Sequence, residues 1–308
     1  MTTSATRQSK KQQFDPNKGY EELAQSLIEL MEKGVNPFRR SWTREAQHTN
    51  FVTGEEYQNG NLICLEIARI TRGYKSGYNL TTGGHNTALG YEALYTDTDG
   101  DYSTAVGYRA LYSQDGDRLN VGLGNNTLYY NQSGTKNTAI GYASMQGASG
   151  QSHSNNTAVG YESMYSVTTA AGGVGLGHQS LRALTSGGSN TGVGNSAAYS
   201  VTTGVENTAL GQTALFYNVT GNYNTAIGRA AMYGVSGNSH EFNTAVGYKS
   251  LLSITTGDKN TGVGYLSLKS LTTADNITAL GTEAFEFLTT GTSNTAVGYR
   301  AGRNLTTS

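Results

Sequence analysis

A short motif recurs along about three quarters of the chain at a nearly fixed interval. The sequence NTAVGY occurs three times, starting at Asn156, Asn243 and Asn294. Alignment on its glycine gives 13 copies that are 17 residues apart, except for two steps of 19 residues. This period is typical of solenoids, whose coils stack because no single coil can bury its own apolar side chains. The aligned glycines are at positions 90, 107, 124, 141, 160, 177, 194, 211, 228, 247, 264, 281 and 298.

The residues before each glycine alternate as in a β-strand. Val, Leu or Ile always precedes the glycine, Ala or Gly stands before that residue, and Thr usually comes one place earlier. Thr and the aliphatic residue therefore share one face, which we expect to form the solenoid core. We expect the Ala/Gly face to pack against other copies of the chain. The predicted core column consists of Leu89, Val106, Leu123, Ile140, Val159, Leu176, Val193, Leu210, Ile227, Val246, Val263, Leu280 and Val297.

The rest of each coil contains a second apolar column and a second β-prone segment. Leu or Met usually follows four residues after the glycine, as at Leu94 and Met145, with a small residue before it. Segments such as Val201–Gly204 and Ile254–Gly257 combine a β-branched residue, two threonines and a turn glycine. The sequence therefore predicts two short strands and two turns in each coil.

Two polar columns allow a structural and a functional interpretation. Ten of the 13 copies begin with Asn, and seven place Tyr after the glycine. The Asn side chains are expected to form hydrogen bonds along the solenoid axis, although a row of ligand-binding amides is the alternative. The Tyr side chains form either a stacked aromatic ladder or an exposed surface for a carbohydrate or a protein partner.

The repeat resembles the β-roll head repeats of trimeric autotransporter adhesins and similar repeats in bacteriophage tail fibres. The matching residues are Asn137 to Gly141 and Asn224 to Gly228. The resemblance implies a non-enzymatic, homotrimeric rod that holds something away from a surface or binds a host. We therefore predict a mainly β protein, a parallel β-solenoid of β-roll type with 13 coils of about 17 residues, preceded by a small helical N-terminal domain.

The N-terminal quarter has a different organisation. We predict a disordered polar lead over residues 1–14, a small domain over residues 15–76 and the solenoid over residues 77–308. Apolar residues at helical spacing run from Tyr20 to Met31, and Gly34 ends the predicted helix.

The segment that follows, MEKGVNPFRRSW and then TNFVTGEEYQNGN, resembles the front of the N-terminal single-stranded-DNA-binding domain of ArdC-type antirestriction proteins. Thr53 and Gly54 are part of this match, whereas Asn59 replaces a family glycine. Aromatic residues that stack on bases and arginines that contact phosphates are compatible with DNA binding, and an apolar staple with solvated arginines is the alternative. The candidate DNA-binding residues are Phe38, Arg39, Arg40, Trp42, Arg44, Asn50, Tyr57 and Asn61.

The sequence contains no convincing catalytic or metal-binding motif. The five histidines have no metal-ligand spacing, and Cys64 is the only cysteine. GGVGLG at 172–177 is a repeat copy and not a dinucleotide loop, and Asp97, Asp99 and Asp101 lack the remaining ligands of a calcium loop. We expect no enzymatic activity, no metal and no cofactor.

Two principal functions remain for the whole chain. The first is a phage-type fibre or adhesin-like rod with an N-terminal adaptor domain, and the second is a single-stranded-DNA-binding protein that uses the solenoid as a scaffold. A third candidate function is binding of ice or a mineral through the Thr residues, which requires a flat exposed Thr face. The expected partners are two further copies of the chain, single-stranded DNA through residues 15–76, and a host-surface or virion component. With no secretion signal and no membrane-crossing segment in the sequence, we expect a virion or cytoplasmic location.

Overall fold

The computed structural model describes residues 76–77, 79–116 and 118–307. Over these residues the chain is a parallel β-solenoid with one three-residue strand per coil, so the predicted solenoid is confirmed. The helical domain predicted over 15–76 lies outside the described residues, except for Ser76. The strands are β1 (Thr87–Leu89), β2 (Thr104–Val106), β3 (Val121–Leu123), β4 (Thr138–Ile140), β5 (Thr157–Val159), β6 (Val174–Leu176), β7 (Thr191–Val193), β8 (Thr208–Leu210), β9 (Thr225–Ile227), β10 (Thr244–Val246), β11 (Thr261–Val263), β12 (Thr278–Leu280) and β13 (Thr295–Val297).

All 13 strands form a single sheet in chain order. Each strand pairs in parallel with the next, and Thr, Ala or Gly, and the aliphatic residue keep the same register from strand to strand. The exact register follows from the repeat, because one coil advances the chain by one rung of the sheet. We number the coils after the strands, so that coil n begins at the glycine that follows strand βn.

The strands point their small residues inward, which is the reverse of the prediction. In every strand the middle Ala or Gly is buried, whereas the two flanking residues are exposed or half-buried. The column of aliphatic residues predicted as the core, from Leu89 to Val297, therefore lies on the outside of the coil. Leu89 is 42% exposed and Leu210 is 45% exposed. The Ala/Gly face is already buried within each coil, so it is not available to contact another copy.

The narrow interior of the coil explains this reversal. A Cβ atom built on Gly192 would lie 2.7 Å from Ser180 Oγ and 3.0 Å from Leu181 Cγ. No space remains on that side for Val, Leu or Ile, because real Cβ atoms do not approach other heavy atoms so closely. The larger aliphatic residue of each strand must therefore face outward.

The second apolar column forms the interior. Leu111, Met164 and Leu251 of this column are fully buried, as are the small residues that precede them. The first residue of the second β-prone segment is also buried, as at Val201 and Ile254. These segments form bends and not a second strand, so the prediction of two strands in each coil is wrong. They still join neighbouring coils through backbone hydrogen bonds.

The Asn column forms the predicted structural ladder. The Asn207 N–H donates a hydrogen bond to Asn190 Oδ1 at 3.0 Å, and the Asn224 N–H donates to Asn207 Oδ1 at 3.0 Å. The Asn207 side-chain amide also donates to the Gly221 carbonyl at 2.9 Å. These side chains are buried and satisfy backbone groups that the bends leave without a strand partner. They are therefore part of the framework of the solenoid and not a ligand row.

The glycine that begins each coil has a backbone conformation that other residues rarely adopt. Its φ lies between 119° and 139° in all 13 copies. At Gly194, an added Cβ would lie only 2.6 Å from the carbonyl oxygen of Gly211 in the next coil. Glycine is thus required both for its dihedral angle and for the close approach of successive coils.

Two coils are each two residues longer than the others, and each of them contains a buried histidine. Coils 4 and 9 are the 19-residue coils, and they contain His153 and His240. In most coils the seventh residue after the glycine is buried, as at Leu184. The corresponding residues of coils 4 and 9, Ala148 and Val235, are exposed, and the histidine supplies the buried side chain instead. Burial lowers the pKa of each imidazole to about 4.

The first prediction concerns the repeat glycine. We expect Gly194→Ala to lower the free energy of unfolding by about 2 kcal/mol or more, because it adds left-handed strain and a clash with the next coil. Gly237→Ala is the matched control, since Gly237 has a φ of 82° and no atom within 4 Å of an added Cβ. Chemical denaturation of the full chain measures both. Equal losses in the two variants would contradict a role for close coil approach.

The second prediction concerns the buried histidines. The unfolded chain binds a proton at each histidine near pH 6.5, whereas the folded chain does so only near pH 4. The contribution of each neutral histidine to the free energy of unfolding is therefore fully present above pH 6.5. It decreases by about 3 kcal/mol per histidine as the pH falls to about 4. Denaturation midpoints measured across this range should show a shallower pH dependence in the His153→Leu/His240→Leu variant. An unchanged slope would show that other groups cause the acid destabilisation.

Candidate functional site

The outward strand residues form a continuous surface that we call the Thr/aliphatic stripe. The stripe consists of the first and third residues of strands β1 to β13, Thr or Val in the first column and Leu, Val or Ile in the second. Both columns run in register along the sheet. The most exposed members include Leu123, Leu176, Leu280 and Val297, at 45%, 37%, 38% and 67%.

The stripe is large for an apolar surface that remains uncovered. At roughly 4.8 Å per rung, the 13 rungs extend over roughly 60 Å, and the two columns are about 7 Å apart. The footprint of the stripe, with its Thr column, is thus on the order of 400 Å² in one chain, which is similar in extent to the largest apolar patch of a typical monomer. A patch of this size is commonly an interaction site. The Thr row is half-buried in most strands, so it is less exposed than the flat Thr face that the ice- or mineral-binding alternative requires.

The Tyr column beside the stripe forms a broken stack. The ring centroids of Tyr142 and Tyr161 are 5.3 Å apart, those of Tyr161 and His178 are 5.2 Å apart, and the planes are nearly parallel. Tyr248 and Tyr265 stack in the same way. The predicted aromatic ladder is therefore present wherever neighbouring coils both carry a ring. Because the stacked faces contact each other, mostly the ring edges are available to a partner.

The sequence analysis missed a second aromatic column, five residues after the repeat glycine. Tyr112 and Tyr129 stack at 4.9 Å, and Phe216 and Tyr233 stack at 5.2 Å. The signal was available in the alignment, because most coils from 1 to 9 have an aromatic residue at this position. These rings again connect one coil to the next.

Several charged side chains form ion pairs with partners one coil away. Arg109 Nε lies 2.7 Å from Glu92 Oε2, and Arg182 Nε lies 2.7 Å from Glu162 Oε2. Burial alone raises the pKa of the Glu162 carboxyl, but hydrogen bonds from Arg182 and Gln179 lower it below the usual value. A carboxylate held in this way is a structural ion-pair partner and not a general acid.

One acidic cluster in the described residues brings three carboxylates close together. Oxygen atoms of Asp97, Asp99 and Asp115 lie within 4.8 Å of one another. Asp97 is buried and accepts hydrogen bonds from the Gly100 N–H at 2.9 Å and from Gln114 Nε2 at 3.1 Å. Burial raises the pKa of its carboxyl, which these hydrogen bonds oppose. The Asp97 side chain is thus engaged in holding its own turn together.

The remaining sequence motifs have structural positions. GGVGLG at 172–177 contains strand β6, as expected for a repeat copy. His85 stacks on Tyr102 with centroids 4.9 Å apart, and His178 belongs to the Tyr column. The described residues form no helix that is long and apolar enough to cross a membrane.

The candidate DNA-binding residues lie outside the described part of the chain, which begins at Ser76. These residues are Phe38, Arg39, Arg40, Trp42, Arg44, Asn50, Tyr57 and Asn61.

The comparisons with known proteins concern this N-terminal part. A family model described as the N-terminal domain of anti-restriction factor ArdC matches residues 17–88. The matched range extends past the predicted boundary at Ser76 and ends inside strand β1. Neither the curated proteins nor the solved structures gave a match. The front of the chain is thus similar to an ArdC-type N-terminal domain, as its sequence predicted, and it leads into a parallel β-solenoid.

Proposed function

We propose that the protein is a non-enzymatic structural rod, a fibre or adhesin-like segment in which three solenoids associate along their Thr/aliphatic stripes. The observation that supports this proposal best is a single column of outward-facing aliphatic side chains along the whole sheet, six of which are exposed and seven half-buried. A regular rod can cover such a column with the same column of another copy, because both have the same spacing.

The apolar contact along the stripe would contribute to self-association. Burying the stripe, about 400 Å² with its Thr column, contributes at most roughly 10 kcal/mol per chain at about 25 cal/mol per Å². Bringing two proteins together costs an estimated 4–15 kcal/mol. The gain and the cost are of similar size, so association along the stripe requires further contact area, which the neighbouring Tyr column can add. The three-chain stoichiometry rests on the resemblance of the repeat to those of trimeric adhesin heads and phage fibres.

In this proposal the two parts of the chain have separate tasks. The solenoid supplies length, roughly 60 Å for 13 rungs. The ArdC-like N-terminal part acts as an adaptor to a virion component or another partner. We place the assembled rod in a virion or in the cytoplasm.

The third prediction tests association through the stripe. Light scattering on the full-length chain should give three times the mass of one chain. Leu176→Glu/Leu210→Glu should reduce the mass to that of a monomer, because two charges per chain would be buried without partners. Circular dichroism should show that the solenoid remains folded.

Val235→Glu provides the matched control for this experiment. Val235 is 44% exposed, similar to the stripe residues, but it lies in the inserted loop of coil 9. This variant should keep the threefold mass. A monomeric wild-type chain, or a trimeric stripe variant, would contradict the proposed association.

The second candidate function is binding of single-stranded DNA. The family match at residues 17–88 favours it, because it covers the segment that contains Arg39, Arg40 and Trp42. Arginines and an aromatic ring in one segment can contact phosphates and stack on bases. On this view the solenoid serves as a scaffold for a DNA-binding domain.

The fourth prediction tests DNA binding in the full-length chain. Arg39→Gln/Arg40→Gln should weaken binding of an oligothymidine at least tenfold in fluorescence anisotropy. It should also reduce the slope of log affinity against log salt by about 1.4, since about 0.7 is lost per phosphate contact on a single strand. Lys10→Gln/Lys11→Gln removes the same charge from the polar lead and should have little effect. Similar losses in both variants would indicate unspecific electrostatic attraction.

A further inference from the structure

A cavity of about 500 Å³ opens on the surface of coils 8, 9 and 10. We call it the coil-9 pocket and define it by Gln212, Arg229, Tyr233, Lys249, Leu252 and Ser253. It lies beside the loop formed by the two additional residues of coil 9. Its lining combines two cations, one aromatic ring, an aliphatic side chain, an amide and a hydroxyl group.

Small residues of coil 9 create the pocket. Two residues after the repeat glycine, several other coils carry long side chains such as Arg109, Glu162 and Glu283. Coil 9 has Ala230 at this position and Gly234 four residues later, and both residues line the cavity. The missing side-chain volume leaves a depression between the Thr213 and Lys249 positions of the neighbouring coils.

The two cations of the pocket lack the carboxylate partner that several arginines of this solenoid have. Arg109, Arg182 and Arg300 each have a Glu oxygen at 2.7 Å. Within the described residues, Arg229 and Lys249 form no ion pair.

Both cations instead approach the ring of Tyr248, whose centroid is 5.9 Å from Arg229 Cζ and 5.2 Å from Lys249 Nζ. Two positive charges that converge on one ring repel each other, and an anion placed between them would be attracted by both.

We propose that the coil-9 pocket binds an anionic sugar unit, either a uronate or a sugar phosphate. The anionic group lies between Arg229 and Lys249, where the guanidinium can donate two parallel hydrogen bonds. The apolar face of the sugar ring packs on Tyr233 and Leu252, and its hydroxyls bond to Gln212 and Ser253. This assignment is independent of the proposed trimer, because it rests on residues of a single solenoid.

The chain contains an internal comparison five coils earlier. Coil 4 has the same two-residue insertion, the same buried histidine, and small residues Ala143 and Gly147 at the equivalent positions. The counterparts of Arg229 and Lys249 are Tyr142 and Glu162, and Glu162 already binds Arg182. The insertion alone therefore does not generate the positive pocket, because only the second of the two longer coils has a basic pair at these positions.

Isothermal titration of the full-length chain tests the proposal with three sugars. The probes are galacturonic acid trisaccharide, galactose 6-phosphate and neutral galactotriose. We expect at least one of the two anionic sugars to bind at least tenfold more tightly than the neutral sugar, and the better binder identifies the anionic group. Binding of neither anionic sugar, or equal binding of the neutral one, would overturn the proposal.

Two variants assign the binding to the pocket. Arg229→Gln/Lys249→Gln should weaken the anionic sugar at least tenfold while thermal unfolding stays within a few degrees of wild type. Lys136→Gln/Lys259→Gln removes two exposed lysines from another column and should leave the affinity unchanged. Equal effects of both variants would show unspecific attraction. If the pocket variant instead loses affinity only for an oligothymidine, the surface is a nucleic-acid site and the sugar proposal fails.

Discussion

The close stacking of one coil on the next is the constraint on which the rest of the structure depends. At the start of each coil the chain passes the next coil so closely that an added Cβ would meet a carbonyl oxygen, as at Gly194 and Gly211. Glycine permits this approach, and the parallel strands then pair without any shift in register. Every position of the repeat consequently becomes a column of equivalent side chains. The Asn ladder, the stacked rings and the Glu–Arg pairs all result from this alignment.

A second consequence follows from the small cross-section of the coil. Ala and Gly fill the inner side of each strand, and one Leu or Met per coil fills most of the remaining space. The aliphatic residues of the strands therefore have no place inside and form the Thr/aliphatic stripe. A single-chain solenoid of this design leaves apolar surface along its length, which is the physical reason to propose a rod made of several chains.

The two longer coils show how a regular solenoid acquires local differences. Coils 4 and 9 lie five coils apart and share the insertion, the exposed residue at Ala148 or Val235 and the buried histidine. Coils 4 and 9 thus accommodate the two additional residues in the same way. The surface side chains around them differ, with Tyr142 and Glu162 at coils 4 and 5 and Arg229 and Lys249 at coils 9 and 10. Function can therefore be added to such a framework at a single coil without disturbing the stacking.

The sequence by itself determined the solenoid, the number of coils, the register and the structural role of Asn and Gly, because these follow from a period that repeats 13 times. It also indicated the ArdC-like N-terminal part, through matching residues such as Trp42 and Tyr57.

The sequence could not determine which face of each strand points inward. The alternating pattern shows that the two faces differ, but it does not show which of them is buried. Only the tertiary structure decided this, because the interior leaves no room at Gly192 for a larger residue. The sequence also did not predict the positive φ angles at positions such as Leu215, where φ is 53°, because leucine rarely adopts this conformation. The coil-9 pocket was also beyond the sequence, since it depends on residues that three successive coils bring together.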